Sequence, residues 1–460
     1  MKKTDQRPNL PPVNDILNRL QPFLFDREII VRVIRREIAQ LRSDAPVGQQ
    51  TRGQLVELIL GRVAKRIRSL TEPVLIPVIN GTGIILHTGL GRALYSRQTM
   101  ETLKQLAYGY CNLEVDLSSG ERGDRTQVVE ELINLLTGSE AAVAVNNNAA
   151  AVLLVLNSIA KGKEVIVSRG ELVEIGGSFR LPEIMESSGA LLKEVGTTNK
   201  TRLSDYAKAI GGQTAMMMKV HTSNYLIEGF TESVDLSSFA ALGKKKRIPT
   251  VHDLGGGSLV DLSIWALPKE PTVKESIDAG VDLVTFSGDK ILGGPQAGLI
   301  LGKKKYLNAI RRNPLMRALR CDKLTIALLE STLRLFLNTE SLDSTHAVLR
   351  LLARSPQSIK AQAESVERQL KTSPGLKIRC ADCESQAGSG TLPVQRLPST
   401  ALEITVKGLS PLNLAEKMRI GNPAVMGYVR NGKYYIDFRA VLDGQEKIVA
   451  ERLLKIVTES

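Results

Sequence analysis

The chain has 460 residues, 43% of them hydrophobic, and a formal net charge of +13. That length holds two or three domains with sizeable cores, and the composition excludes a disordered tail. No run of about 18 apolar residues offers a membrane span, and four scattered cysteines suit a reducing compartment, so a soluble cytoplasmic protein with no membrane partner is expected.

The N-terminal "MKKTDQRPNLPPVND" has basic residues but no apolar run behind them, which argues against a targeting segment. The charge excess gathers here: residues 1 to 70 hold 14 Lys or Arg against 7 Asp or Glu, a net +7. "REIIVRVIRREIAQLR" places Ile30, Ile34, Ile38 and Leu41 at helical spacing, with Arg32, Arg35, Arg36 and Arg42 mostly off that stripe. "QLVELILGRVAKRIRSL" repeats the scheme, with Leu55, Ile59, Val63, Ile67 and Leu70 inside and Arg62, Lys65, Arg66 and Arg68 outside. "SDAPVGQQTRG" separates the two. Residues 1–70 are therefore expected to form a small helical domain with a basic face, suited to a polyanion. A merely solvated helical surface is the alternative. Without zinc-finger spacing, a leucine zipper or an RNA-recognition motif, backbone contact is expected rather than DNA reading.

From about residue 72, short apolar runs alternate with longer helical stretches: "AAVAV", "EVIVS", "AMMMKV", "IPTVHDLG" and "DLVTFSG". This pattern predicts an α/β fold with a mostly parallel sheet, whose ligands sit in loops after the carboxyl ends of the strands. After "AAVAV" come Asn146, Asn147 and Asn148 and an alanine-rich helix, an arrangement that offers free N–H groups to a phosphate or, more plainly, a helix cap. Asp253 ends a strand expected to be buried, where its charge needs a positive partner such as a protonated pyridine nitrogen. Lys290, in "TFSGDKILGG", faces the same difficulty: it is either paired, with Asp289 as the nearby candidate, or shifted toward the neutral amine that forms a Schiff base. Ser287 stands beside it as a further phosphate ligand. Phosphate loop, carboxylate and lysine are together the parts of a pyridoxal phosphate site.

Competing motifs fail on their context. "SGDK" fits the S-x-x-K serine-nucleophile pattern, but neither S-D-N nor K-T-G accompanies it. "GTGIILHTGLG" lacks the spacing and the following acid of a dinucleotide-binding loop. "CADC" at 380–383 has no second Cys or His pair nearby, so no metal site is expected. The last part of the chain, from about 345 and including "STALEITVKGL" and "KYYIDFRAV", reads as a small C-terminal α/β domain, with "SQAGSGTLPVQRLPS" as a loop inside it.

The blocks "INGTGIILHTGLGRAL", "YCNLEVDLSSGERGDR", "AVAVNNNAAAVLL", "SRGELVEIGGSFRLPEIMESSGA", "EVGTTNKT", "KVHTSNYLIEGFT", "DLGGGSL", "TFSGDKILGGPQAG" and "NPLMRALRCDKLT" follow one another in an order that resembles the bacterial selenocysteine synthase family, the L-seryl-tRNA(Sec) selenium transferases. The resemblance runs from the basic N-terminal helices to "NPAVMGYVRNGKYYIDFRAV". It departs at Gly89, where Asn is expected, and at Leu226, where a smaller or polar residue is expected.

The resemblance implies a fold-type-I pyridoxal-phosphate enzyme with Lys290 on the cofactor aldehyde and Asp253 on its ring nitrogen, and the reading of the strand ends adds Asn147, Asn148 and Ser287 as cofactor-binding candidates. It places Arg92, Arg125, Arg317 and Arg320 around the substrate and a selenophosphate donor, for which guanidinium forks suit phosphate-like oxygens. His87 and His221 are candidates for stacking on the ring or touching its phenolic oxygen, with a core histidine as the plainer reading. The implied domains are a tRNA-binding region at 1–70, a catalytic core at 71–344 and a C-terminal domain at 345–460. A ring-shaped homodecamer built of dimers is also implied, with active sites shared between subunits, so that Arg92 and Lys290 need not belong to one chain. Seryl-tRNA(Sec) is then the substrate and DNA is not a partner. The alternatives are a pyridoxal-phosphate lyase or ammonia-eliminating enzyme on a small amino acid, and an RNA-binding assembly protein with a vestigial site.

Overall fold

The protein is described from a computed structural model that covers residues 10–20, 25–43, 51–176, 179–388, 391 and 396–459. It divides into two units, Met1–Pro77 and Val78–Ser460.

Three helices build the first unit: α1 (Val13–Leu17), α2 (Arg27–Ser43) and α3 (Arg52–Thr71). Apolar residues every three or four positions give α2 and α3 one greasy stripe each, and these stripes bury Ile30, Ile34, Ile38 and Leu41 against Leu55, Val56, Ile59, Val63 and Ile67, with Ile16 of α1 between them. Thr51 starts α3 with a reciprocal capping box to Gln54, which satisfies donors that the first helical turn leaves orphaned. Leu70 departs from the expected inside set: the stripe ends at Ile67, and Leu70, in the last turn, is 50% exposed. Arg35, Arg36, Arg42, Lys65, Arg66 and Arg68 all stand exposed. Most of the expected separator, 44–50, lies outside the described residues.

The second unit is organised by a seven-stranded sheet: β1 (Ala141–Val145), β2 (Glu164–Ser168), β3 (Leu191–Val195), β4 (Thr214–Val220), β5 (Thr250–Gly255), β6 (Leu283–Ser287) and β7 (Gly298–Gly302), in the spatial order β1-β7-β6-β5-β4-β2-β3. Only β7 runs antiparallel, paired to both β1 and β6. All five runs singled out by their apolar character are strands. β1, β5, β6 and β7 are buried along their whole length, which explains continuous apolar runs instead of alternation: both faces are covered. The sequence pattern passed over β3 and β7. "LLKEV" in β3 is a mixed, half-exposed edge strand, and "GLILG" in β7 is hidden among glycines. Parallel topology brings the loops after β1, β4, β5 and β6 to a single edge of the sheet, and the chemistry-bearing residues lie there.

The C-terminal part has its own antiparallel sheet, β8 (Leu376–Ser385), β9 (Leu397–Val406), β10 (Tyr428–Arg430) and β11 (Lys433–Asp437), in the order β8-β9-β11-β10. Helices Pro356–Leu370 and Gln445–Thr458 bury Ile359, Val366, Val449 and Leu453 against Leu402, Ile404 and Ile436. The segment expected as a loop at 385–399 is shorter than expected: Ser385 ends β8 and Leu397 begins β9, while 389, 390 and 392–395 lie outside the described residues. Cys380 and Cys383 both lie on β8, where Cys383 Sγ donates to Asp437 Oδ2 at 3.3 Å. No cluster of three or more metal-binding side chains occurs among the described residues. Among these residues, no helix is long and apolar enough to cross a membrane.

Candidate active site

Lys290 is delivered by β6, three residues beyond its end, into a loop closed by Gly294 N–H to the Gly288 carbonyl at 2.8 Å and Gly293 N–H to the Lys290 carbonyl at 3.0 Å. Its side chain is buried at 5% exposure. Among the described residues its amine makes neither a hydrogen bond nor an ion pair. Asp289, the partner considered from sequence, is held instead by the Arg92 guanidinium at 2.7 Å. Burial pushes the Lys290 ammonium down from its ordinary value; Asp253 opposes this, and the nearby Arg92 charge adds to it.

Asp253, on β5, is 4% exposed. Its Oδ1 accepts from Asn148 Nδ2 at 2.8 Å and from Thr285 Oγ1 at 3.0 Å. Burial raises its pKa, while those two hydrogen bonds and the Lys290 charge pull it back. A buried carboxylate so held is ready for a cationic partner. Gly255 follows with φ +68°, and a Cβ there would stand 3.3 Å from Ser223 Oγ and 4.0 Å from Lys290 Nζ. Glycine leaves that space open.

The loop after β1 divides its asparagines between two tasks. Asn147 caps the helix α4 (Asn148–Ala160) by accepting from Ala150 N–H at 2.8 Å, and Asn148 turns to Asp253. The N–H groups of Asn148 and Ala149 at the start of α4, and its positive end, are then available to an anion. β7 passes so close that a Cβ on Gly298 would come within 2.1 Å of the Asn147 carbonyl oxygen. Gly298 pairs on one side with Val145 and on the other with Ser287, so the Ser287 position flanks the same loop.

These residues fit pyridoxal phosphate: an anion-binding helix start for its phosphate, a buried carboxylate for its ring nitrogen and an unpaired amine for its aldehyde. Among the described residues Asn148 Oδ1, Ser223 Oγ and His87 Nδ1 are also buried without a partner, as groups awaiting a ligand would be. Ser223 and Thr285 were not recognised in the sequence; an isolated hydroxyl has no spacing to betray it. His221 Nε2 lies 3.2 Å from Glu270 Oε2, so its ring is already engaged by a carboxylate.

The remaining arginines gather elsewhere. Arg125, Arg317 and Arg320, with Arg122 and Arg311, line a cleft of about 570 Å³ that Lys290, Asp253 and Arg92 do not line. Arg125 holds Glu114, with Nε to Oε1 at 2.9 Å, and donates to the Cys321 carbonyl at 2.8 Å. Arg320 lies 4.0 Å from Glu114, and Arg317 has no ion pair among the described residues. The cleft adjoins the phosphate loop: Arg320 bridges to Val145, and Asn146 N–H donates to the Leu319 carbonyl at 2.9 Å.

Comparison with known proteins agrees with this architecture. The sequence profile of the L-seryl-tRNA selenium transferases, SelA, matches residues 78–442. The L-seryl-tRNA(Sec) selenium transferase of Carboxydothermus hydrogenoformans is 47% identical over 98% of this chain and 96% of its own length. The protein of the same name from Aquifex aeolicus is 41% identical, over 98% of each chain. Among solved structures, D-glucosaminate-6-phosphate ammonia-lyase superposes with a TM-score of 0.59 at 18% identity, covering 85% of this chain and 98% of that one, a likeness of fold. The chain belongs to the L-seryl-tRNA selenium transferase family.

Proposed function

We propose that this protein converts L-seryl-tRNA(Sec) to L-selenocysteinyl-tRNA(Sec), with pyridoxal phosphate as cofactor and selenophosphate as selenium donor. The observation that carries the reading is the buried Lys290 amine, without a partner among the described residues, near the buried Asp253 carboxylate, in a chain related to selenium transferases along nearly its whole length. That relatedness includes the basic N-terminal helices, which a lyase acting on a small amino acid has no use for.

When bound, the cofactor supplies an aldehyde for Schiff-base exchange and a ring that accepts an electron pair. Asp253, oriented by Asn148 and Thr285, keeps a proton on the ring nitrogen. The start of α4, with Ser287 beside it, binds the phosphate. Asn147 acts by capping that helix. Lys290, its ammonium form disfavoured by burial, takes the α-proton of the seryl group and returns a proton to the departing β-hydroxyl, so that water leaves. Arg92 shares its charge between Asp289 and the substrate. Arg317 and Arg320 attract the anionic donor, and Arg125, anchored on Glu114, forms the wall of the same cleft.

In this reading residues 1–70 bind tRNA, 71–344 form the catalytic core and 345–460 the small C-terminal domain, in a cytoplasmic homodecamer built of dimers. Subunit contacts are supported by Tyr108, Tyr110 and Leu117, which stand almost fully exposed within one short segment. The test is an absorbance spectrum of the holoenzyme with borohydride trapping, titrated with seryl-tRNA(Sec) and with free serine. A band trapped on the Lys290 peptide that responds only to the charged tRNA is expected. An equal response to free serine would replace the transferase with a small-molecule lyase.

A further inference from the structure

Ser223 follows β4 at the same edge of the sheet as Lys290, and it is 1% exposed. Its backbone N–H donates to the His221 carbonyl at 2.8 Å, which accounts for the turn. Among the described residues its hydroxyl has no hydrogen-bond partner. A serine kept only for its turn commonly spends that hydroxyl on a nearby backbone group. Here the hydroxyl instead borders the opening at Gly255 that Lys290 Nζ also borders: a single Cβ placed there would be 3.3 Å from the one and 4.0 Å from the other. An amine and a hydroxyl, neither with a hydrogen-bond partner among the described residues, thus face one small space that a positive-φ glycine keeps free of side chain.

We infer that Ser223 is a positioning residue for Lys290, its hydroxyl accepting a hydrogen bond from the lysine amine once that amine is released to act as base. The inference rests on the function proposed above. In the elimination, the Cα–H bond breaks and its proton goes to the Lys290 nitrogen. The Cβ–O bond then breaks, the proton passes to the leaving oxygen to give water, and the former C–H electron pair ends in the new C=C bond. During the interval the ammonium needs an acceptor in a buried place. Asp253 is held through Oδ1 by Asn148 and Thr285 and is given to the ring nitrogen in the function proposed, and Asp289 is held by Arg92, whereas the Ser223 hydroxyl borders the same opening as Lys290 Nζ.

The test compares wild-type and Ser223→Ala holoenzymes by borohydride trapping, by steady-state kinetics with seryl-tRNA(Sec), and by the pH dependence of kcat. The charged groups acting on Lys290 are Asp253, Arg92 and Asp289, and all are retained in the variant. Both proteins should trap on Lys290. In the variant kcat should fall by about tenfold, the scale of one hydrogen bond to a charged group, with KM little changed. Loss of an acceptor disfavours the ammonium, so the rising limb of the kcat profile should move to lower pH. A limb that stays in place with wild-type kcat overturns the role of Ser223. Failure of the wild type to trap on Lys290 overturns instead the function on which it rests. If the alanine variant does not hold cofactor, Ser223→Thr, which keeps the hydroxyl, must restore the wild-type limb, and a limb displaced in that variant also refutes the inference.

Discussion

An ion pair between the neighbours Asp289 and Lys290 would hold the lysine as an ammonium, useless as a nucleophile or base. Arg92 prevents it by taking the Asp289 carboxylate at 2.7 Å. Arg92 itself adopts φ +62°, a left-handed conformation uncommon outside glycine, so the backbone bends to put the guanidinium there. Arg92→Ala should free Asp289 to stabilise the Lys290 ammonium while removing a positive charge that disfavours it. Both changes raise the lysine pKa, so the rising limb of the pH–kcat profile should shift to higher pH, opposite in sign to Ser223→Ala; a shift downward would contradict the pairing. His252 gives a second prediction. Burial, assisted by the charges of His221 and Lys219, lowers its pKa to about 3 from 6.5, so it stays neutral in the folded state, with Nδ1 2.9 Å from Ser276 Oγ. Below pH 6.5 the unfolded chain takes a proton that the folded chain refuses. Stability should therefore fall as pH drops from 6.5 toward 3, by up to about 1.4 kcal/mol per pH unit from this group. Thermal melts at pH 7 and pH 5 read this directly, and His252→Gln should lessen the difference between them.

At the level of elements, the two strand ends carrying Asp253 and Lys290 were legible because a charge closing an apolar run is anomalous wherever it occurs. The partners of those charges were not. Asn148 meets Asp253 across 105 positions and Arg92 meets Asp289 across 197, distances that local pattern cannot bridge. The arginines illustrate the same limit: family resemblance grouped Arg92 with Arg125, Arg317 and Arg320, whereas within the chain Arg92 sits at the lysine loop and the other three line a separate cleft. β7 was hidden for a different reason, since three apolar residues between two glycines show no period. Yet its first residue governs the site. A Cβ at 298 would fall 2.1 Å from the Asn147 carbonyl oxygen, and the other nearest atoms belong to the same backbone peptide, with no flexible side chain among them to yield. Gly298→Ala should push the start of α4 away from β7, costing about 1–3 kcal/mol of stability by overpacking and weakening pyridoxal phosphate affinity. Equilibrium dialysis of the cofactor checks this, and unchanged affinity would show that the loop tolerates displacement.

Over the whole molecule, the sequence distributes charge and chemistry unevenly. The first 70 residues hold +7 of the +13 but none of the residues proposed for catalysis, and they fall in a unit with its own apolar core. Their exposed basic side chains follow from the helical period, which leaves only one stripe per helix for burial and sends the rest to solvent. Such a surface binds phosphates by releasing counterions, whatever the sequence of the nucleic acid. Removal of residues 1–77 should therefore lower affinity for seryl-tRNA(Sec) while leaving the cofactor band and its reduction by borohydride in place. For the full chain, the logarithm of the association constant should fall linearly with the logarithm of salt concentration, by roughly 0.7–0.9 for each phosphate neutralised. The truncated protein should show a shallower slope, because it has lost phosphate contacts and not merely stability. Filter binding across a salt series measures both slopes in one experiment. Equal slopes with equal affinities would place the tRNA contacts on the larger unit and reduce the basic helices to a solvated surface.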